Sequence, residues 1–256
     1  MSAHARQFTT ELEIARSVAR EVLAYWTTIM PAELNKVLSN ERRDVKLKAD
    51  FELQKIILSA LAMRSEIPVL AEEAQLFMPQ DEALTWVVDP LDGTFNFHRE
   101  IPFYSTALAL CRGVDPVLGV VVDLPFRRVI SGGPGLGCFV NNSPVTVSTT
   151  ADLTQAVLVT GFPTGADFST SALSEFVNLV QRFKKIRMLG SAALALAYVA
   201  TGNADAYIEQ NSNIWDVAAG VALVFGAGGR VKQVRSKANP LIVSVTADNG
   251  QTLILN

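Results

Sequence analysis

Trp86-Val87-Val88-Asp89-Pro90-Leu91-Asp92-Gly93-Thr94-Phe95-Asn96-Phe97 is an apolar run that ends in two aspartates three positions apart. The run reads as a β-strand delivering Asp89 at its end, and Pro90 and Gly93 predict a tight turn that sets Asp92 beside it. Two carboxylates so close repel unless a cation lies between them, and hard oxygen ligands suit Mg2+. Gly93 lets a ligand approach the backbone, and a helix starting there would aim the Gly93 and Thr94 N–H groups at an anion. Taken alone, a D-x-x-D is more simply a surface Asx-turn. The flanking sequence has to decide.

Downstream, TALALCR (106–112), VLGVVVDLP (117–125), RRVISGG (127–133) and CFVNNSPVTVS (138–148) are short β-rich runs broken by Gly, Pro and Asn. They predict a largely antiparallel sheet. Upstream, Phe8, Leu12, Ala15, Val18, Ala19, Val22 and Trp26 recur at helical spacing over 8–30, with Pro31 as the stop. Asp50–Met63 repeats the pattern, and the charged SNERRDVKLK (39–48) between them reads as an exposed loop or short ribbon. These two helices are expected on one face of the sheet. From about residue 152 strands and helices alternate, with helices expected over 171–183, 191–202 and 215–229. The fold class is α+β, divided softly near 145–152 into halves 1–148 and 149–256.

Other acidic residues have ordinary readings when taken singly. Asp50 and Asp216 stand at the starts of predicted helices, where a carboxylate caps. Glu72 leaves the end of the apolar run IPVL (67–70), and Glu209 closes the predicted strand DAYIEQ (205–210). Gly190, Ser191 and Ala192 open a predicted helix.

Together these segments resemble the inositol monophosphatase family. Its signature W-[VI]-[VI]-D-P-[LI]-D-G-T-x-N-F is met by residues 86–97. A second signature is met by Trp215-Asp216-Val217-Ala218-Ala219-Gly220 followed by Ala227-Gly228-Gly229. Ala71-Glu72-Glu73 stands where the family has G-E-E, and Leu47-Lys48-Ala49-Asp50 matches its T-x-A-D element. The resemblance implies a layered αβαβα sandwich with a mainly antiparallel N-terminal sheet and a smaller mixed C-terminal half. It implies a Mg2+-dependent phosphatase in which Glu72, Asp89 and the Leu91 carbonyl hold one ion. Asp89, Asp92 and Asp216 would hold a second, and a weaker third would lie near Glu72. Thr94 and Asp50 would prepare the attacking water, and Gly93 and Thr94 would meet phosphate. Gly190, Ser191, Ala192 and Glu209 would contact the substrate alcohol. Phe95, where Thr or Ser is common, and Gly226, where Glu is usual, depart from the pattern.

Inositol 1-phosphate is the first expected substrate, with fructose 1,6-bisphosphate, histidinol phosphate or another pathway-specific ester as alternatives. A regulatory binding protein retaining the fold is the alternative of another class. Lithium sensitivity and a homodimer follow from the resemblance only. A net charge of −3 argues against nucleic acid as partner, leaving a small phosphate ester. No segment reads as a signal peptide or membrane span, so the expected location is cytoplasmic. Cys111 and Cys138 have no metal-ligand spacing and are read as buried thiols or a disulfide. The two histidines, His4 and His98, make no zinc cluster, and neither a Walker loop nor a G-x-S-x-G elbow is present.

Overall fold

Helical spacing near the start of the chain produces α1 (Thr9–Thr28), which buries Leu12, Ala15, Val18, Ala19 and Val22. The computed structural model describes residues 7–29, 31–41, 44–74 and 77–251. Pro31 does not close α1. It is the first residue of a four-residue helix, α2 (Pro31–Leu34), a position where a missing N–H leaves no bond unmade. The charged connector forms an antiparallel ribbon, β1 (Val37–Glu41) with β2 (Asp44–Leu47), and runs into α3 (Lys48–Ala62).

Seven strands follow in one sheet, ordered as they occur in the chain. They are β3 (Val69–Ala71), β4 (Leu84–Asp92), β5 (Ser105–Arg112), β6 (Asp115–Asp123), β7 (Arg128–Gly133), β8 (Gly137–Val140) and β9 (Ser143–Val145). β3 and β4 pair parallel, and the other neighbours are antiparallel. The period of two sorts side chains onto opposite faces. Trp86, Val88, Leu108, Leu110, Val120 and Val122 pack with α1 and α3 on one face. Val87, Ala107, Ala109 and Val121 face the other way, into the largest core cluster. Because both faces are covered, the strands read as continuous apolar runs rather than alternations.

That cluster is filled by α6 (Ala192–Ala200) and α7 (Ile214–Gly226). Beyond them lies a five-stranded mixed sheet, β11-β10-β12-β14-β13. Its strands are β10 (Val157–Thr160), β11 (Lys185–Met188), β12 (Ala206–Asn213), β13 (Arg230–Arg235) and β14 (Ile242–Asp248). On its outer face Leu179 and Val180 of α5 (Thr170–Val180) pack with Leu158 and Ala206. The layers are therefore α1/α3, sheet, α6/α7, sheet, α5. This is the αβαβα sandwich.

The central layer is packed backbone to backbone at Gly226. A Cβ there would lie 2.5 Å from the Gly137 carbonyl oxygen and 2.8 Å from the Gly133 nitrogen. No side chain fits at this position. Cys111 and Cys138 are free and buried. Among the described residues no helix is long and apolar enough to cross a membrane.

Candidate active site

β4 carries both motif aspartates, and it does not turn at Pro90. Its pairing with β5 continues past the proline, with Asp89 opposite Ala107 and Asp92 opposite Ser105. One extra residue is accommodated as a β-bulge, which re-aims the side chains at its end. The Thr106 hydroxyl donates to the Pro90 carbonyl at 2.7 Å and fastens the bulge. The chain reverses only at Gly93, at φ +92°, where a Cβ would lie 3.0 Å from the Phe103 carbonyl oxygen. A short helix, α4 (Thr94–His98), starts there.

At this reversal a cavity of about 650 Å3 opens. Glu72, Asp89, Leu91, Asp92, Gly93, Thr94, Gly190, Ser191, Ala192, Glu209 and Asp216 all line it. Asp50 does not. Among the described residues, the charged groups on the wall are five carboxylates and the ammonium of Lys46.

Each acid is held by a local device. Glu72 follows β3, its N–H donating to the Val88 carbonyl at 3.1 Å, and its Oε1 accepts from Lys46 Nζ at 2.8 Å. Lys46 also pairs with Glu73. Asp89 Oδ1 accepts from the Leu91 N–H at 3.0 Å. Burial, then the charges of Glu72, Asp92 and Asp216, push its carboxyl well above the usual range. Asp92 accepts from the Ser191 hydroxyl, the Ala193 N–H at 2.8 Å and the Ala192 N–H at 3.2 Å. Burial outweighs these donors and leaves it at about 6. Asp216 Oδ2 accepts from the Asn213 N–H at 3.0 Å, and burial with Glu72 and Asp92 raises it well above normal. Burial brings Glu209, in the middle of β12 where the pairing with β14 shifts register, to about 7.

Asp50 and Asp216 are not N-caps. Each is the third residue of its helix, and the N-cap positions belong to Leu47 and Asn213. Asp50 Oδ2 accepts from the Leu47 N–H at 2.7 Å, and its Oδ1 lies 2.9 Å from Thr94 Oγ1. Thr94 Oγ1 is also 2.8 Å from the Leu91 carbonyl oxygen, so its one proton serves one acceptor at a time. Burial lifts Asp50 to about 7.

Two contributors were not singled out by sequence. Asn96 Nδ2 donates to the carbonyls of Phe103 (2.7 Å) and Leu189 (2.6 Å), tying α4 to the segment that enters α6. A polar residue between two phenylalanines, Phe95-Asn96-Phe97, was the available signal. Lys46 gave none, because its pairing with Glu72 depends on where the ribbon docks.

The donor set, carboxylate oxygens and a backbone carbonyl, suits a hard divalent cation. Among the described residues, no group of three or more His, Cys, Asp or Glu side chains is arranged to hold a metal ion as it stands. The physical reason is that Glu72, Asp92 and Asp216 are turned to Lys46, to the start of α6 and to Asn213. All three nevertheless raise the carboxyl of Asp89, and Glu72 and Asp92 raise that of Asp216, so they are near enough for rotamer changes to bring them onto a shared ion. The residues fit the cation, with those turns to be made.

The sequence profile of the inositol monophosphatase family matches residues 5–253. A protein of Xylella fastidiosa named Nus factor SuhB is 35% identical over 222 residues, covering 86% of this chain and 79% of that one. An inositol-1-monophosphatase of Synechocystis is 33% identical over 252 residues, covering 94% and 85%. The solved inositol monophosphatase of Anabaena superposes with a TM-score of 0.79 at 30% identity, covering 95% and 92%.

Proposed function

The chain belongs to the inositol monophosphatase family, and from that premise we propose that it hydrolyses a small polyol or sugar phosphate monoester, inositol 1-phosphate first, with Mg2+. One observation carries the reading: among the described residues, five carboxylates gather with one ammonium on the wall of one cavity. Two like charges 4 Å apart repel by about 4 kcal/mol at an effective dielectric of ~20, so a phosphate cannot enter such a wall without cations. Glu72, Asp89, Asp92, Asp216 and the Leu91 carbonyl would hold Mg2+, which supplies charge neutralisation and an acidified water when bound.

The chain's own residues do the rest. Thr94 stands at the wall with Asp50 directly behind it, so a proton leaving the attacking water passes through the Thr94 hydroxyl to Asp50. A carboxylate near 7 is a competent base at neutral pH. The amides that open α4, at Gly93 and Thr94, are proposed to meet phosphate oxygens. Glu209 is proposed to bind a hydroxyl of the alcohol. Ser191 and Ala192 already donate to Asp92, so we assign them first to positioning that carboxylate and only second to substrate. Water attacks in line, without a covalent enzyme intermediate. A cytoplasmic homodimer is part of the proposal by family resemblance.

A regulatory role is the second reading, favoured by the similarity to a protein named a Nus factor. Phosphate release measured with and without Mg2+ over inositol 1-phosphate, fructose 1,6-bisphosphate and glycerol 2-phosphate separates the two. Mg2+-dependent release that Asp89→Asn abolishes supports the phosphatase. Release from no ester would leave the binding role.

A further inference from the structure

A second cavity of about 270 Å3 adjoins the first. Gly161, Phe162, Pro163 and Glu209 line both, so a group seated in the acidic cavity reaches the other by extending past Glu209. Phe176 and Leu179 of α5 and Ile208 of β12 make one side of it apolar, and Thr160 and Gln210 add polar groups. Phe162 packs on Phe176 with ring centroids 4.9 Å apart, and on Phe168 at 5.0 Å. Asp167, Glu175 and Glu209 supply its charge, and no Lys, Arg or His lines it. Asp167 is held in place by the Ser169 N–H at 2.8 Å and the Ser169 hydroxyl at 3.1 Å.

A polyol matches only part of this space. Its hydroxyls find partners at Thr160, Gln210 and the acids, but those against Phe162, Phe176, Leu179 and Ile208 would give up water without a hydrogen bond, at about 1–3 kcal/mol each. An organic cation is matched twice, by aromatic faces and by carboxylates. Volume agrees: an apolar cavity of about 150 Å3 admits a benzene ring, so this one admits a ring with a short chain.

We propose that this cavity is a leaving-group subsite for phosphate esters whose alcohol carries an apolar ring and a protonated amine. It rests on the phosphatase reading above and narrows its substrate class. The phosphate takes the acidic cavity, the amine lies beside Glu175 and Asp167, and the ring lies between Phe162 and Phe176.

The test compares kcat/KM for phenylalaninol phosphate, 3-phenylpropyl phosphate and inositol 1-phosphate. Calorimetry with free phenylalaninol runs alongside. Phenylalaninol phosphate is expected to exceed 3-phenylpropyl phosphate about fivefold, the worth of an exposed ion pair with Glu175 and Asp167. Glu175→Gln is expected to remove most of that advantage while leaving inositol 1-phosphate unchanged, and Leu179→Trp, which fills the space, to remove both ring-bearing esters. Equal turnover of the two ring-bearing esters, or an equal effect of Glu175→Gln on all three, overturns the proposal. If no ester is hydrolysed, the phosphatase reading fails. Phenylalaninol binding that Glu175→Gln weakens then still supports the ligand class, and no binding overturns it.

Discussion

Asp50 and Asp216 occupy the same local position in two helices. Each is third in its helix, and each accepts the backbone N–H of the residue before the helix begins, at 2.7 Å and 3.0 Å. Burial is the chief cause of the raised carboxyl in both. Their surroundings differ. Asp216 lies on the cavity wall with Glu72 and Asp92 as the leading charges around it. Asp50 lies off the wall, with the Thr94 hydroxyl between it and the space where chemistry would occur. Local capping geometry therefore assigns neither residue its role. The layer packed against the helix start does.

The sharpest way to break this comparison is to neutralise each aspartate. Asp216→Asn keeps an oxygen for the Asn213 N–H but removes a wall charge. It is expected to lower Mg2+ affinity about 100-fold and turnover at fixed Mg2+ by at least as much, read by calorimetry and phosphate release. Asp50→Asn removes a base without touching the wall. It is expected to lower kcat by about 10²–10³ while Mg2+ affinity stays at the wild-type value. Equal loss of affinity in both variants would place Asp50 among the ligands and erase the distinction.

The same contrast marks what sequence could convey. Short β-rich runs broken by Gly, Pro and Asn point to the antiparallel sheet, and helical spacing points to the buried faces of α1 and α3. The acids of the wall were named in advance. The Pro90 turn was not what the chain does: β-pairing continues on the carbonyl side, which a proline leaves intact, so a bulge replaces the turn. The ordinary reading of Asp50 and Asp216 as caps misses by a few residues, since sequence identifies a helix start only to that precision. Ser191 and Ala192, expected to face substrate, line the cavity and also donate to Asp92, a contact spanning about a hundred residues. The Lys46–Glu72 pair has the same origin. Long-range pairings of this kind carry no local pattern.

Stability of the metal-free protein sharpens the comparison at a smaller scale. The folded carboxyls of Asp92, at about 6, and Asp50, at about 7, lie above their ordinary values, and Asp89 and Asp216 are raised too. A carboxyl raised by folding contributes stability that is present below its unfolded value. That contribution is lost as pH rises through the folded value. Urea unfolding without Mg2+ should therefore show stability falling between about pH 4 and pH 7, by on the order of a few kcal/mol in total. Saturating Mg2+ is expected to restore the part due to the wall and to leave a residual step near pH 7. Asp50→Asn should shrink that step to the part left by Glu209, which burial also places at about 7. If Mg2+ abolishes the whole dependence in the unmutated protein, Asp50 titrates with the wall.

The smallest effect tests what the two residues share. Alanine at either position leaves the back-bonded N–H without its acceptor, whereas asparagine keeps one. The loss of such a contact at a helix start is worth about 1 kcal/mol. Asp50→Ala is therefore expected to be about 1 kcal/mol less stable than Asp50→Asn, and Asp216→Ala to fall short of Asp216→Asn by the same amount, in urea without Mg2+. Because both members of each pair lack the charge, repulsion on the wall cancels from the difference. Equal differences at the two sites would show that the helix starts are interchangeable, and that every larger contrast between these aspartates comes from the neighbouring layer. A difference at one site alone would mean that the hydrogen bond there is not the anchor its distance describes.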